Sequence, residues 1–204
     1  MQVTRINAIA LIASLVIGFT ATEACAFAGS ARASSATEQP EFVLSSFPHD
    51  TAAVNFWDSW GARRSGGRRH TGTDILSPRG TRVVAVAEGT VTAFGTDRLS
   101  GVYLRLDHGG GWTSTYMHLN NDTLGTDDGN GGVWTALHPL ITVGAVVRAG
   151  QVIGYVGNSG NAEGKQPHTH FEIAFDGNKI NPYPHLRDVW NRQMRIPVAA
   201  FTPR

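Results

Sequence analysis

The chain has 204 residues, of which 16% are charged and 24 are glycine, whereas globular domains average about 25% charged residues and about 7% glycine. This composition, with 9% aromatic residues, excludes a disordered chain, a coiled coil and a collagen-like fibre. Seventeen basic and 16 acidic residues leave a formal net charge of +1, so we expect no nucleic-acid partner. A single glycine-rich β domain is the class that remains.

The N-terminus has the pattern of an export signal. A basic start precedes an apolar run over 6–19, and small-residue sites end at Ala26 and Ala28. We therefore predict a signal peptide over residues 1–26, cut at 26 or 28, and an exported protein, periplasmic or extracellular. A membrane anchor is the alternative, but the run is shorter than the ~20 apolar residues that a span needs. A lipid anchor on Cys25 is the other alternative, and cleavage would remove this sole cysteine.

One domain is predicted after the signal. Residues 27–55 are interpreted as an N-terminal lead-in, of which 29–40 is small, polar and flexible. Residues 56–186 form the predicted domain, and 187–204 form a C-terminal tail. No stretch of ten or more residues shows a clear 3.6-residue apolar period, so no helix is assigned and the domain is expected to be mainly β.

Short β segments separated by glycine turns fill this domain. Apolar runs and period-two alternation predict strands over 83–87, 90–94, 102–107, 112–119, 151–156 and 168–175. Because hairpin-length turns connect them, the fold is predicted to be mainly β and antiparallel.

A polar, glycine-rich stretch over residues 120–140 interrupts the strands. About 20 structureless residues within a domain are usually a functional lid or disorder. We therefore consider two interpretations: a mobile surface loop, or a loop that Trp134 packs over a substrate groove.

Two histidines share one face of the last predicted strand. His168 and His170 are two residues apart, and side chains alternate between the faces of a strand. A second motif, from His70 to Asp74, places an imidazole and a carboxylate on either side of Gly72. Zn²⁺ prefers nitrogen ligands with at most one carboxylate. His70, Asp74 and one of the paired histidines would therefore make an open three-ligand site.

A third motif ends the strand that begins at Trp112. There, His118 follows Tyr116 by two residues and could carry a proton near a metal without binding it. The same histidine could also be purely structural. Four further histidines match no motif and are predicted to lie on the surface: His49, His108, His138 and His185.

Taken together, the three motifs resemble the M23 family of zinc peptidases, the lysostaphin and LytM-like peptidoglycan endopeptidases. That family carries H-x-G-x-D, Y-x-H-L and H-x-H in this order, which stand here at 70–74, 116–119 and 168–170. The flanking sequences Gly157-Asn158-Ser159-Gly160 and Asn181-Pro182 agree as well. Each motif is short, but the ordered combination is specific.

The resemblance implies a single-domain antiparallel β-sheet of the LytM/lysostaphin type (a duplicated hybrid motif), with long loops around a groove. It implies one Zn²⁺ per chain, bound by His70, Asp74 and His170, with His118 and His168 as the catalytic pair that does not bind zinc. Metal-activated water would then hydrolyse the peptide cross-links of peptidoglycan. The expected protein is a monomer, with no membrane span after signal removal.

The alternative on the same scaffold is a non-catalytic cell-wall-binding or activator protein. Family members of that kind tend to lack part of the ligand set, whereas all five histidine and aspartate positions are present here. Two features depart from the family pattern: Thr169 replaces the usual leucine between the paired histidines, and the 120–140 stretch is longer than usual.

Further candidates surround these positions. Glu172 shares the histidine face and either orients a ligand imidazole or is solvated, and Tyr116 is a possible oxyanion donor. Four arginines precede His70 and either contact wall-peptide carboxylates or form a solvated basic loop: Arg63, Arg64, Arg68 and Arg69. A serine nucleophile at Ser159 is discounted, because G-x-S-x-G would need glycine at position 161.

Overall fold

The computed structural model describes residues 41–195. These residues form nine strands and two α-helices: β1 Thr73–Leu76, β2 Arg82–Val84, β3 Gly89–Asp97, β4 Gly101–Gly109, β5 Trp112–Leu119, α1 Val133–Ala136, β6 Val146–Val147, β7 Val152–Tyr155, β8 His168–Phe175, β9 Asn178–Ile180 and α2 Tyr183–Arg195. The predicted signal peptide, the predicted flexible segment 29–40 and residues 196–204 lie outside the described part. Within it, no helix has the length and apolar character needed to cross a membrane.

The strands form two sheets in which every pairing is antiparallel. The larger sheet has seven strands in the order β1-β8-β5-β4-β3-β6, and β9 also pairs with β8. The smaller sheet pairs β2 with β7. The prediction of a mainly antiparallel β fold is confirmed. Since β8 lies between β1 and β5, the three motifs, far apart in sequence, meet on neighbouring strands.

One hydrophobic core joins the two sheets. The fully buried pair Tyr116 and Phe171 comes from neighbouring positions of β5 and β8, with ring centroids 5.2 Å apart. Val83 and Ile153 of the smaller sheet are also fully buried in this cluster. Each such side chain contributes roughly 1.5–3 kcal/mol through removal from water. The core therefore fixes β8, whose other face carries the paired histidines.

The domain extends beyond both predicted boundaries. In the predicted lead-in, Phe42, Leu44 and Phe47 are buried in the core. Helix α2 runs through the predicted boundary at 186 and packs against the same region, with the Trp190 ring 4.8 Å from that of Phe47. Helix α2 was not assigned from the sequence. Its apolar residues Leu186, Val189 and Trp190 recur at helical spacing among polar neighbours, so the segment does carry a helical period.

The 120–140 stretch is a largely exposed loop, as predicted, in which only Val133–Ala136 is helical. It contains α1, and its buried Asp122 forms an ion pair with Arg79 and accepts a hydrogen bond from the Gly129 amide at 2.9 Å. Arg79 also pairs with Asp127 at 2.6 Å. A buried carboxylate that is paired and hydrogen-bonded organises this loop against the domain.

Candidate metal centre and cleft

Strand register places Asp74 beside His170. The two residues are direct partners in the β1–β8 ladder, and directly opposed residues of an antiparallel pair lie side by side on one face. On the other face of β8, Thr169 and Phe171 are fully buried. Burial of one face in the core thus turns His168 and His170 outward.

Gly72 allows the third motif residue to approach. A Cβ atom at position 72 would lie 2.5 Å from the Phe171 carbonyl oxygen and 2.6 Å from Nε2 of His170. No side chain fits in that space, so only glycine lets the segment before β1 lie against β8. This close approach brings His70 over the Asp74–His170 pair and explains the glycine of the H-x-G-x-D motif.

Three ligand atoms converge at this point. His70 Nε2 lies 3.0 Å from Asp74 Oδ1 and 2.9 Å from His170 Nδ1, and the last two atoms are 2.9 Å apart. Zn–N and Zn–O bonds of about 2.0–2.1 Å in a tetrahedron separate ligand atoms by about 3.3 Å. Among residues 41–195 this is the one group of three or more such side chains close enough to hold a metal ion. His168 is not a member of it.

The outer nitrogen of each ring is held by an acceptor. His70 Nδ1–H donates to the Ser59 carbonyl at 3.1 Å, and His170 Nε2–H donates to Glu172 Oε1 at 3.1 Å. The inner nitrogens of both rings can therefore present lone pairs toward Asp74, as metal ligands do. One cation would satisfy all three inner atoms at once, whereas a single proton satisfies one contact. The donor set thus fits a metal such as Zn²⁺.

The charges around the three ligand atoms also favour a bound cation. Burial alone would raise the pKa of Asp74, but hydrogen bonds to His170 and His70 hold that pKa well below its usual range. Burial alone would lower the pKa of His170, but Asp74 and Glu172 on either side of the ring raise it. Ionised carboxylates on either side of the His170 ring favour a cation at the inner ligand atoms.

Glu172 is part of the site's support. It is buried, and besides His170 it accepts hydrogen bonds from Thr71 Oγ1 and Lys179 Nζ, both at 2.6 Å. Burial opposes ionisation, but the bonds from His170, Lys179 and Thr71 outweigh it and lower the pKa of Glu172 to about 2. The interpretation of a solvated glutamate was wrong. Glu172 fixes the orientation of the His170 ring.

His118 reaches the site because the backbone turns at its position. Its φ of 59° lies in the left-handed region, where non-glycine residues are uncommon. Regular alternation would put His118 on the same face as Tyr116, which is in the core. The left-handed turn redirects the imidazole, whose Nδ1–H donates to the Ser159 carbonyl at 2.9 Å. Strain of about 1–3 kcal/mol at such a residue commonly marks a functional position.

Tyr116 is not an oxyanion donor, so that expectation was wrong. Its ring is fully buried, and its hydroxyl accepts a hydrogen bond from the Val86 amide at 3.0 Å. Burial raises the pKa of Tyr116, with Ser114 and Val86 opposing the shift.

His168 faces His118 across the cleft. Their ring centroids are 5.1 Å apart, and His118 lies 6.1 Å from the ring of His170. His168 Nδ1–H donates to the Gln166 carbonyl at 2.8 Å. Burial lowers the pKa of His168, and burial together with the neighbouring histidines lowers that of His118 to about 3. Both rings are therefore neutral near pH 7, each with an unprotonated Nε2.

Ser159 holds in place the end of β5, where His118 lies. Its hydroxyl donates to the Leu119 carbonyl at 2.6 Å and accepts from the Val102 amide at 2.9 Å, and the residue is buried. With both hydrogen-bonding roles used and no access to solvent, Ser159 cannot act as a nucleophile. The G-N-S-G segment is instead a structural link between β4 and β5.

His49 is buried, and its predicted surface position was wrong. One ring nitrogen lies 2.9 Å from Thr169 Oγ1 and the other 2.8 Å from Ser77 Oγ. Burial, assisted by the nearby His168, lowers the pKa of His49 to about 3. Sequence reasoning missed this bridge. The signal available was Thr169, a buried hydroxyl at a leucine position, which needs a polar partner. The other three unassigned histidines are half-buried.

The metal centre, His118 and His168 line one cleft of about 860 Å³. The four arginines that precede His70 line it too, and Arg64 Nη2 donates to Asp74 Oδ2 at 2.6 Å. No residue of the 120–140 stretch lines this cleft. Trp134 is 80% exposed and lies against Phe94 of β3. The interpretation that Trp134 packs the loop over the groove was therefore wrong.

Comparison with curated proteins finds endopeptidases and a murein hydrolase activator. The chain is 34% identical over 115 residues to the DD-carboxypeptidase/endopeptidase Mpg of Neisseria meningitidis, covering 56% of this chain and 22% of that protein. It is 34% identical over 149 residues to the L-Ala--D-Glu endopeptidase of Bacillus subtilis, covering 68% and 41%. The murein hydrolase activator EnvC of Escherichia coli is 32% identical over 127 residues, covering 62% and 26%. The chain thus spans less than half the length of these relatives.

Solved structures share the fold. The putative glycyl-glycine endopeptidase lytM from Ruminococcus gnavus superposes with a TM-score of 0.58 at 28% identity, covering 73% of this chain and 61% of that one. A zinc containing peptidase from Vibrio cholerae gives 0.54 at 25% identity, covering 69% and 39%. The predicted LytM/lysostaphin-type fold is confirmed. The family description "Peptidase family M23" matches residues 68–182. With more than half of its length matched, the chain belongs to peptidase family M23.

Proposed function

We propose that the chain is an exported zinc endopeptidase that hydrolyses peptide cross-links of bacterial peptidoglycan. The observation that carries the proposal is the convergence of His70 Nε2, Asp74 Oδ1 and His170 Nδ1 in a cleft that His118 and His168 also line. Three protein ligands, with a position left for water or substrate, are typical of catalytic rather than structural zinc sites. Peptidoglycan as substrate is supported by two relatives from Vibrio cholerae that are named peptidoglycan DD-endopeptidases.

The proposed cofactor is one Zn²⁺ per chain. When bound, it supplies a Lewis acid that polarises a peptide carbonyl and lowers the pKa of water to near 7. His70, Asp74 and His170 would hold it. The Ser59 carbonyl and Glu172 keep the outer nitrogens of the two rings protonated, so that the inner nitrogens stay free to bind. Such outer hydrogen bonds typically change metal affinity by 10- to 100-fold.

Proton transfer falls to His118 and His168. The described residues contain no H-E-x-x-H helix that would supply a glutamate base. In both rings the Nδ1–H is committed to a backbone carbonyl, so Nε2 is the atom that can accept a proton from the attacking water. The ring that has gained this proton can then donate from Nε2 to the developing oxyanion or to the leaving amine. The same two rings can thus act first as base and then as acid, so the reaction needs no further proton donor.

Two variants separate metal binding from catalysis. Asp74→Ala and His118→Ala should both abolish the release of peptides from purified sacculi, but only Asp74→Ala should lose zinc. Asp188→Ala is the matched control, because Asp188 pairs with Arg192 on the surface of α2, and it should change neither quantity. Stoichiometric zinc in purified Asp74→Ala would refute the ligand assignment.

A non-catalytic activator is the second candidate, and the similarity to EnvC favours it. Such a protein needs neither a complete ligand set nor two neutral histidines beside it. The two functions differ in one measurement: the zinc-loaded peptidase alone releases peptides from sacculi, whereas an activator does so only when a separate hydrolase is added.

A further inference from the structure

The cleft carries an excess of positive charge. Six cationic side chains line it, from three separate segments: Arg63, Arg64, Arg68, Arg69, Lys165 and Lys179. Its carboxylates are Asp74 and Glu172. Each of these acids already has a cation, Arg64 for Asp74 and Lys179 for Glu172, both at 2.6 Å. Within residues 41–195, the remaining four cations form no ion pair with a carboxylate.

The arginine segment keeps these charges together at a cost. Gly66 and Gly67, with φ of 70° and 73°, turn the chain back so that Arg63 and Arg69 face each other in an antiparallel bridge. Like charges directly opposite each other destabilise such a pair. No acidic residue occurs between Asp58 and Asp74 to offset the repulsion. A bound anion would relieve it.

We propose that Arg63, Arg68, Arg69 and Lys165 form a basic rim that binds free carboxylates of the peptide in the cleft. This inference rests on the proposed function and narrows its substrate class. A cross-link between stem peptides that bear carboxylates near the scissile bond is the preferred substrate, whereas a neutral glycine bridge offers the rim nothing to pair with. Because Arg64 reaches a metal ligand, the rim lies next to the bond that would be cut.

The rim acts through charge, so the effect has a defined size and salt dependence. An exposed ion pair changes affinity by a factor of about 1.5 to 5. Two or three such pairs therefore give about a tenfold preference. Salt screens exposed charges, and at 1 M ionic strength the screening length falls to about 3 Å, so the preference should nearly vanish there.

The test compares two soluble cross-linked stem peptides that differ only in whether their carboxylates are free or amidated. For the zinc-loaded chain we expect kcat/KM about tenfold higher for the free carboxylates at low salt. Arg63→Gln combined with Arg68→Gln should lower kcat/KM for the free-carboxylate peptide and remove most of the preference. Arg148→Gln, an exposed arginine outside the cleft, should keep it. Equal kcat/KM for both peptides in the unaltered chain would overturn the proposal.

Failure of the peptidase function is distinguished by binding. If neither peptide is cleaved, the zinc endopeptidase proposal fails, and calorimetric affinities for the same two peptides then test the rim directly. Tighter binding of the free carboxylates, lost in the double variant, supports the rim. Equal binding overturns it. The rim proposal is also overturned if the chain binds sacculi in a salt-sensitive way that does not depend on whether the stem-peptide carboxylates are amidated. That result would indicate binding to phosphate-bearing wall polymers instead.

Discussion

Replacement of His49 with leucine tests how the N-terminal segment supports the site. The imidazole joins Ser77, which directly follows β1, to Thr169, which lies between the paired histidines of β8. These are the two strands that carry Asp74 and His170. Leucine has a similar volume but no polar atom, so both hydroxyls would lose their partner.

The expected loss of stability follows from burial. Thr169 is 0% exposed, Ser77 is 8% exposed and His49 is 4% exposed, so water cannot replace the lost hydrogen bonds. A buried hydroxyl without a partner costs about 1–3 kcal/mol. Two of them, offset in part by burial of an apolar side chain, should lower the free energy of unfolding by about 2–4 kcal/mol at pH 7.

Urea denaturation of the zinc-free protein measures this free energy. The restoring control is His49→Leu combined with Ser77→Ala and Thr169→Val, which removes the two hydroxyls along with the imidazole. We expect this triple variant to recover most of the loss, because replacement of all partners by apolar groups can be nearly neutral. No recovery would mean that the imidazole acts through packing alone.

The same comparison has a pH dependence with a defined sign. The pKa of His49 is about 3 in the folded chain against 6.5 when exposed, so the unfolded chain binds more protons between these values. The unaltered protein therefore loses stability as the pH falls through this window, by at most about 1.4 kcal/mol per pH unit from this group. The difference in free energy of unfolding between the unaltered protein and His49→Leu should therefore become smaller from pH 7 to pH 4. A gap below 1 kcal/mol at pH 7, or one that stays constant, would refute the reasoning.

Three other changes test the site and its surroundings. Gly72→Ala should weaken zinc binding at least tenfold in a competition titration, with an unchanged circular dichroism spectrum, because the new methyl group meets the His170 ring; unchanged affinity would contradict the close approach. Glu172→Gln should weaken zinc binding about 10- to 100-fold, whereas exposed Glu163→Gln should not; equal effects would argue against the hydrogen bond to His170. Arg79→Met should lower the free energy of unfolding by about 3–5 kcal/mol, because it leaves a buried carboxylate unpaired, yet folded molecules should keep their rate of peptide release; a slower rate would place the 120–140 stretch in catalysis.

The strands that carry the site were predictable because their residues repeat with a clear period. The limits of β5 and β8 were predicted as the structure has them. Strand β1 was missed because it has only four residues, two of which are half-buried. Helix α2, by contrast, carries Leu186, Val189 and Trp190 at helical spacing and could have been predicted from that period. Short elements depend on tertiary contacts that a local pattern does not contain.

The side chains of the site show the same limit. Spacing alone could not choose between His168 and His170, because both lie on one face of β8. The choice depends on the register with β1, which opposes His170 to Asp74. Alternation along β5 would also put His118 on the core face beside Tyr116. It does not, because the left-handed backbone at His118 breaks the alternation. The burial of His49 and Glu172 depends on segments distant in sequence, which composition and spacing cannot bring together.

Titration of the zinc-free protein with Zn²⁺, with peptide release from purified sacculi followed at each step, tests the metal-dependent chemistry most directly. A zinc endopeptidase built on His70, Asp74 and His170 should start without activity, gain it in proportion to added metal and stop gaining at one equivalent per chain. Full release by the metal-free chain, or none at saturation, would contradict it.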